Sequence, residues 1–172
     1  MFGSNQTATE LTATAAELGS DVGFFLTPPA GWCTGRGEIV EPVPVGGPFH
    51  FVVVKPPVGC STADVYKRVT VPKKMQQGTN VRLALEQNDP EKLAAGLFNR
   101  LQDAAFAVAP AVRMAYERLK ACRPLAVQVT GSGSAVFALC KDRTDAIRVA
   151  DGYRKTDELV FVLRNLSEET PR

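Results

Sequence analysis

The first group in this sequence placed to move a proton is Asp21. It lies in residues 17–26, ELGSDVGFFL, between a glycine suited to ending a helix and the run Phe24-Phe25-Leu26. A carboxylate fixed at a helix exit, with aromatic side chains drawing the next residues into a core, is rigid, partly shielded from water and able to accept a proton. The same residue types also cap helices, and the ten residues by themselves favour Ser20 or Asp21 as a cap for the next turn.

A second stretch with chemical potential is Thr130-Gly131-Ser132-Gly133-Ser134, which joins two apolar segments. Its glycines let backbone approach a ligand, and successive amide N–H groups in such a turn form a concavity that suits phosphate. Two glycines and two serines also make a plain hairpin connection, and the spacing lacks the lysine of a P-loop. The third stretch is residues 56–66, PPVGCSTADVY, where a strand end turns into a helix. Tyr66 near the start of that helix could stack a nucleobase and Thr62 could bond a hydroxyl; equally, Tyr66 fits a core position and Thr62 a cap.

The remaining reactive side chains point to structure. His50, the only histidine, sits inside FHFVVV and reads as a satisfied core or edge residue, so no Ser-His-Asp triad can be built on it. Arg36 between two glycines reads as a turn-tip surface residue, with a phosphate contact as the other use, and Trp32 reads as packing. Cys33, Cys60, Cys122 and Cys140 form no CxxC pair and have no histidine nearby, which excludes a zinc or redox motif and leaves four reduced thiols.

What must position these groups is a chain of 172 residues, 45% hydrophobic and 22% charged, long enough to bury a substantial core as one domain or as a piece of something larger. A net charge of +2 gives no support for a basic nucleic-acid face, so no nucleic-acid partner is expected. The first residues lack a basic, apolar leader and no stretch is apolar enough to span a bilayer, which predicts a cytoplasmic protein without a membrane partner.

In chain order, residues 9–18 carry Leu11, Ala15 and Leu18 at helical spacing, with Gly19 placed for a left-handed cap. Residues 24–26 lead into two short extended segments around Gly35-Arg36-Gly37, a hairpin. The run at 49–55 predicts a buried strand ended by Pro56 and Pro57, followed by a helix over 63–69 with Ser61 or Thr62 as N-cap. Residues 70–79 read as a mobile surface loop. Helices are expected over 80–87, 90–101 and 111–121, with Pro110 starting the last. Strands at 126–130 and 135–140, a helix at 144–153 and a strand at 159–163 complete the pattern. Strand, hairpin, helix, strand is the split order of a ferredoxin-like α+β layer.

Taken in order, LGSDVGFFL, GRGE, KPPVGCSTADVY, LFNRL and VTGSGSAVFAL resemble the C-terminal half of the GHMP kinases that act on 4-diphosphocytidyl-2-C-methyl-D-erythritol. The resemblance runs from about residue 2 to about residue 166. It implies a GHMP-kinase C-terminal domain, an antiparallel sheet with helices on one face, over residues 46–172. Residues 1–45 would then be the end of the N-terminal kinase domain. It further implies transfer of the ATP γ-phosphoryl group, with Mg2+, to the 2-hydroxyl of a cytidine-diphosphate-linked methylerythritol in non-mevalonate isoprenoid synthesis. On that resemblance Asp21 is the base, Tyr66 stacks the cytosine, Thr62 lies near the substrate, and Gly131, Ser132 and Gly133 lie against the phosphates; no protein metal ligand is assigned.

Two departures accompany the resemblance. Gly23 stands where the family motif has proline, and the family's glycine-rich nucleotide loop, PxxxGLGGGSSDAA, has no counterpart in these 172 residues. Residues 1–18 resemble the helix that follows that loop. A chain without the loop lacks the amides and helix dipole that cradle ATP phosphates, so weak ATP binding and little or no kinase activity are expected of it alone. Apolar residues of the first helix and of the Phe24-Phe25 region would face solvent, which predicts self-association. Two other readings are another GHMP kinase, of homoserine or mevalonate type, and a truncated, non-catalytic binding module. STADVY fits a cytidine site better than a small-acid site.

Overall fold

The computed structural model describes residues 7–19, 22–26, 30–71, 78–153 and 157–166. It divides into two compact units, one formed by Met1–Gly46 with Leu166–Arg172 and one by Gly47–Asn165.

In the first unit, Ala8–Leu18 form helix α1. Thr7 starts it: its hydroxyl accepts from the Glu10 N–H, and the Glu10 carboxylate accepts from the Thr7 N–H at 2.7 Å, a reciprocal capping box. The Gly19 N–H closes the last turn on the Ala15 carbonyl, but its φ of 166° and ψ of 151° are extended, not the left-handed cap expected. Here the chain leaves the helix directly. Val22–Leu26 follow as a 3-10 helix with no buried residue. Phe24 packs against Phe25 edge to face, at 5.6 Å between ring centroids, and Phe25 is 78% exposed, so the aromatic run is not drawn into a core but faces solvent as the half-chain reading expects.

Strands β1 (Gly31–Thr34) and β2 (Ile39–Pro42) then pair antiparallel, Gly31 opposite Pro42 and Thr34 opposite Ile39. The connecting turn needs positive φ at Gly35 (70°) and Gly37 (115°), which explains the GRG sequence. Arg36 stands at its tip with 85% of its side chain exposed.

The second unit is a four-stranded antiparallel sheet in the order β4-β5-β3-β6, built from β3 (His50–Lys55), β4 (Ala126–Val129), β5 (Val136–Cys140) and β6 (Leu159–Arg164). The first and last strands lie side by side, as a split βαβ unit demands. Strand β3 is central, with Val54 opposite Val136 on one side and Val160 on the other. Alternation sends Val52 and Val54 into the core, while Phe51 and Val53 on the other face are only half-buried, so the strand is not buried on both faces. His50, half-buried at the start of this strand, is paired on both sides, opposite Cys140 and Arg164.

Helices α2 (Thr62–Lys67), α3 (Thr79–Glu86), α4 (Pro90–Gly96), α5 (Gln102–Val108), α6 (Pro110–Ala121) and α7 (Arg143–Tyr153) complete the unit. The core gathers Val65 of α2, Ala105 of α5, Val112, Ala115 and Leu119 of α6, and Ala146, Val149 and Ala150 of α7 onto Val52, Val54, Val129, Val136 and Ala138 of the sheet. Each fully buried Val or Leu there contributes about 1.5–3 kcal/mol of apolar transfer.

Of the helix expected over 90–101 only Pro90–Gly96 are helical, as α4; residues 97–101 break from the helix, and α5, which was not expected, begins at Gln102. Gly96 ends α4, Leu97 turns extended (φ −63°, ψ 131°), and the Asn99 carboxamide accepts from the Leu101 N–H where α5 begins. Helical periodicity hid this break, because Leu93, Leu97 and Leu101 keep an apolar stripe through it. Of the loop expected at 70–79, residues 72–77 lie outside the described residues.

Candidate functional site

Strand β3 ends at Lys55, and two prolines force the chain into a loop that re-enters helix at Thr62. The Lys55 ammonium pins that loop, donating to the carbonyls of Pro56 at 2.9 Å and Val58 at 3.0 Å. Ser61 is the N-cap of α2; its hydroxyl accepts from the Asp64 N–H at 3.3 Å. Thr62 is therefore not the cap, and its hydroxyl lies 2.9 Å from the Ser132 hydroxyl. One turn further along α2, Tyr66 is 60% exposed, which removes it from the core.

Ser132 belongs to the β4–β5 connection. The Gly133 N–H donates to the Thr130 carbonyl at 2.9 Å and the Thr130 N–H to the Ala135 carbonyl at 3.0 Å, closing a tight turn. Gly131 takes φ +55° and Gly133 φ +91°, conformations that favour glycine. A Cβ on Gly131 would meet nothing within 4 Å, whereas one on Gly133 would sit 3.4 Å from Cys60 Sγ. The turn thus rests on the β3–α2 loop at Gly133 and opens outward at Gly131. The Ser134 hydroxyl adds a second tie, donating to the Val58 carbonyl at 2.8 Å. Among the described residues, the N–H groups of Gly131 and Ser132 donate to no protein acceptor. Two unused donors beside two adjacent hydroxyls can bind an anion.

Asn99, Gln102, Ser134 and Lys55 also hold this site, and sequence reading assigned none of them. The Asn99 carboxamide donates to the Val129 carbonyl at 2.7 Å and the Gly131 carbonyl at 2.8 Å, and Gln102 accepts from the Val129 N–H at 3.1 Å. Asn99 stood in the LFNRL stretch, which the resemblance singled out without giving any of its residues a role. Burial raises the pKa of the Cys60 thiol, so this sulfur stays protonated at neutral pH.

Asp21 lies outside the described residues, so the structure places Thr62, Tyr66, Gly131, Ser132 and Gly133 but not the expected base. Among the described residues no group of His, Cys, Asp and Glu side chains is arranged to hold a metal ion, and no helix is long and apolar enough to cross a membrane. The four thiols are unpaired, Cys33 being exposed and Cys140 buried.

Comparison with known proteins follows the same lines. Residues 81–158 match the family model for the GHMP kinases C terminal. The 4-diphosphocytidyl-2-C-methyl-D-erythritol kinase of Shouchella clausii is 33% identical over 156 residues, covering 90% of this chain and 52% of that protein. The kinase of the same name from Pelotomaculum thermopropionicum is 37% identical over 156 residues, covering 89% and 54%. A solved structure of 4-(cytidine 5'-diphospho)-2C-methyl-D-erythritol kinase superposes with a TM-score of 0.74 at 27% identity, over 91% of this chain and 57% of that one. A homoserine kinase from Cytophaga hutchinsonii shares the fold, with a TM-score of 0.67 at 15% identity over 95% and 59%. The chain spans about half the length of the curated relatives it matches.

Proposed function

From the premise that this chain carries a GHMP kinase C-terminal domain, we propose that it supplies the substrate-binding part of a 4-diphosphocytidyl-2-C-methyl-D-erythritol kinase. The reaction is phosphorylation of the substrate's 2-hydroxyl by ATP, in the non-mevalonate route to isoprenoids. One observation carries the reading: the 2.9 Å contact between Thr62 and Ser132 joins the STADVY and TGSGS stretches, 70 residues apart in sequence, into one surface.

The chemistry divides among few groups. Tyr66, exposed on α2, offers a ring face to cytosine, and such stacking is worth about 1–3 kcal/mol per base. Thr62 is placed to meet a hydroxyl or phosphate oxygen of the bound substrate. The free N–H groups of Gly131 and Ser132 meet phosphate oxygens, with Gly133 keeping the turn against Cys60. Asp21 is the base, taking the proton of the attacking hydroxyl as its oxygen bonds to the γ-phosphorus, whose bond to the β,γ-bridging oxygen breaks to release ADP. Bound Mg2+ would shield the charge of the ATP phosphates in such a transfer; among the described residues no group of His, Cys, Asp and Glu side chains is arranged to hold it.

Residues 1–45 are, in this proposal, the end of the N-terminal kinase domain and residues 46–172 the C-terminal domain. The 172 residues contain no glycine-rich ATP loop, so the polypeptide alone binds ATP weakly and turns over little. Leu18 at 76% and Phe25 at 78% exposure support self-association of the isolated chain. Four unpaired thiols suit the cytoplasm.

Calorimetric titration of the chain with 4-diphosphocytidyl-2-C-methyl-D-erythritol, homoserine and mevalonate tests the substrate. Binding of the cytidine compound alone supports the proposal; binding of homoserine or mevalonate in its place, or of none of the three, overturns it.

A further inference from the structure

Asn99 has no role in the reading above, yet it holds the glycine turn from behind. Its carboxamide lies in the break between α4 and α5 and uses three of its hydrogen-bonding positions. Nδ2 donates to the carbonyls of Val129 at 2.7 Å and Gly131 at 2.8 Å, and Oδ1 accepts from the Leu101 N–H at 2.9 Å. The orientation is dictated, since flipping the amide would set an oxygen against two carbonyls and a donor against a donor.

The consequence for the turn follows from peptide geometry. A peptide plane carries its C=O and the next N–H on opposite sides. Fixing the Gly131 carbonyl toward Asn99 therefore points the Ser132 N–H away from Asn99. Fixing the Val129 carbonyl sets the strand end from which that turn starts, and Gln102, one helical step after the break, holds the Val129 N–H at 3.1 Å. The other ties of the turn act at Ser132, Gly133 and Ser134, while Gly131 itself is exposed and a Cβ built on it would meet nothing within 4 Å.

We infer that Asn99 is a positioning residue that aims the turn's amides at a phosphate group. This rests on the proposed role of the turn as a phosphate cradle. Asn99→Asp separates its two duties: the isosteric carboxylate still accepts from the Leu101 N–H, keeping the start of α5, but cannot donate to Val129 or Gly131. Asn99→Ala removes both duties without adding charge.

The test is amide and aromatic NMR of the full chain titrated with cytidine diphosphate. In the wild type, Gly131 and Ser132 amide signals and Tyr66 ring signals move together. In N99D and in N99A, the affinity read at Gly131 and Ser132 falls about tenfold or more, the loss of roughly two hydrogen bonds' worth of preorganisation. Cytidine, which lacks phosphate, still shifts Tyr66 in both variants with unchanged affinity, a result a general loosening of the domain would not give. Unchanged Gly131 and Ser132 responses in both variants overturn the inference, as does loss confined to N99D, which would mark charge repulsion alone. If cytidine diphosphate moves no amide of the wild type, the proposed function fails. The inference is then read on the free chain with inorganic pyrophosphate, where the same two amides must respond in the wild type and not in the variants. Their silence in the wild type overturns the inference as well.

Discussion

Replacing Gly131 by alanine separates what the turn costs in stability from what it does for a ligand. Gly131 holds φ +55°, and a Cβ built there meets no atom within 4 Å, so no steric repulsion enters. What remains is the preference of an L-residue against the left-handed region, about 1–2 kcal/mol. With a urea dependence of about 1–3 kcal/mol per molar, the unfolding midpoint falls by roughly 0.3–2 M. The domain stays folded, since ordinary stabilities of about 5–15 kcal/mol exceed the loss. Binding should suffer out of proportion, because the new methyl stands in the open space the phosphate is proposed to fill. Calorimetry with cytidine diphosphate should show a loss of about tenfold or more, equivalent to about 1.4 kcal/mol. Gly131→Asn sharpens the comparison, as asparagine tolerates the left-handed region and regains part of the stability while still blocking the space. The reasoning is refuted by a G131A variant as stable as the wild type, or by one that is less stable and binds undiminished.

Other perturbations follow from the same geometry. Tyr66→Ala, removing a side chain 60% exposed, should move stability by no more than about 0.5 kcal/mol while weakening cytidine binding by about 1–3 kcal/mol, measured by denaturation and titration together. Leu119→Ala, in the core of α6 and fully buried, should destabilise by about 2–5 kcal/mol in a urea melt. Burial, reinforced by the Asp145 charge, pushes the Cys140 thiol up to about 12. Its pKa is raised on folding, so its contribution is complete below pH 9 and is lost as pH climbs toward 12; Cys140→Val should flatten that part of a stability–pH curve. With a thiol reagent at neutral pH, Cys33 should react at once and Cys140 only on unfolding. ATP titrated into the isolated chain should show no tight, magnesium-dependent binding.

How far the sequence could be read differs between elements. The sheet was legible because β-branched runs bounded by prolines and glycines have few other uses, and the order strand, hairpin, helix, strand leaves one topology that returns β6 beside β3. Leu97 to Leu101 was not legible: the apolar stripe continues through a break at which Asn99 is bonded to a strand end 30 residues away. Long-range side-chain to backbone bonds leave no periodic trace. Phe25 carried two opposed expectations, since an aromatic run signals burial only when some element covers it, and its 78% exposure agrees with the one that left it uncovered. In the candidate site, residue types named Thr62 and Tyr66 but left each with two uses. The capping hydrogen bond of Ser61 removes the cap reading of Thr62 and the exposure of Tyr66 removes its core reading, and both are properties of the fold.

The central claim is that the start of α2 and the β4–β5 turn form one site for a cytidine diphosphate group. Titrating the labelled chain with cytidine diphosphate, and following the Tyr66 ring and the Gly131 and Ser132 amides in one experiment, tests it most directly. The account predicts that all three respond with a single dissociation constant and that cytidine reaches Tyr66 alone. Response of Tyr66 without the turn, response at two unrelated affinities, or no response at either place would contradict it.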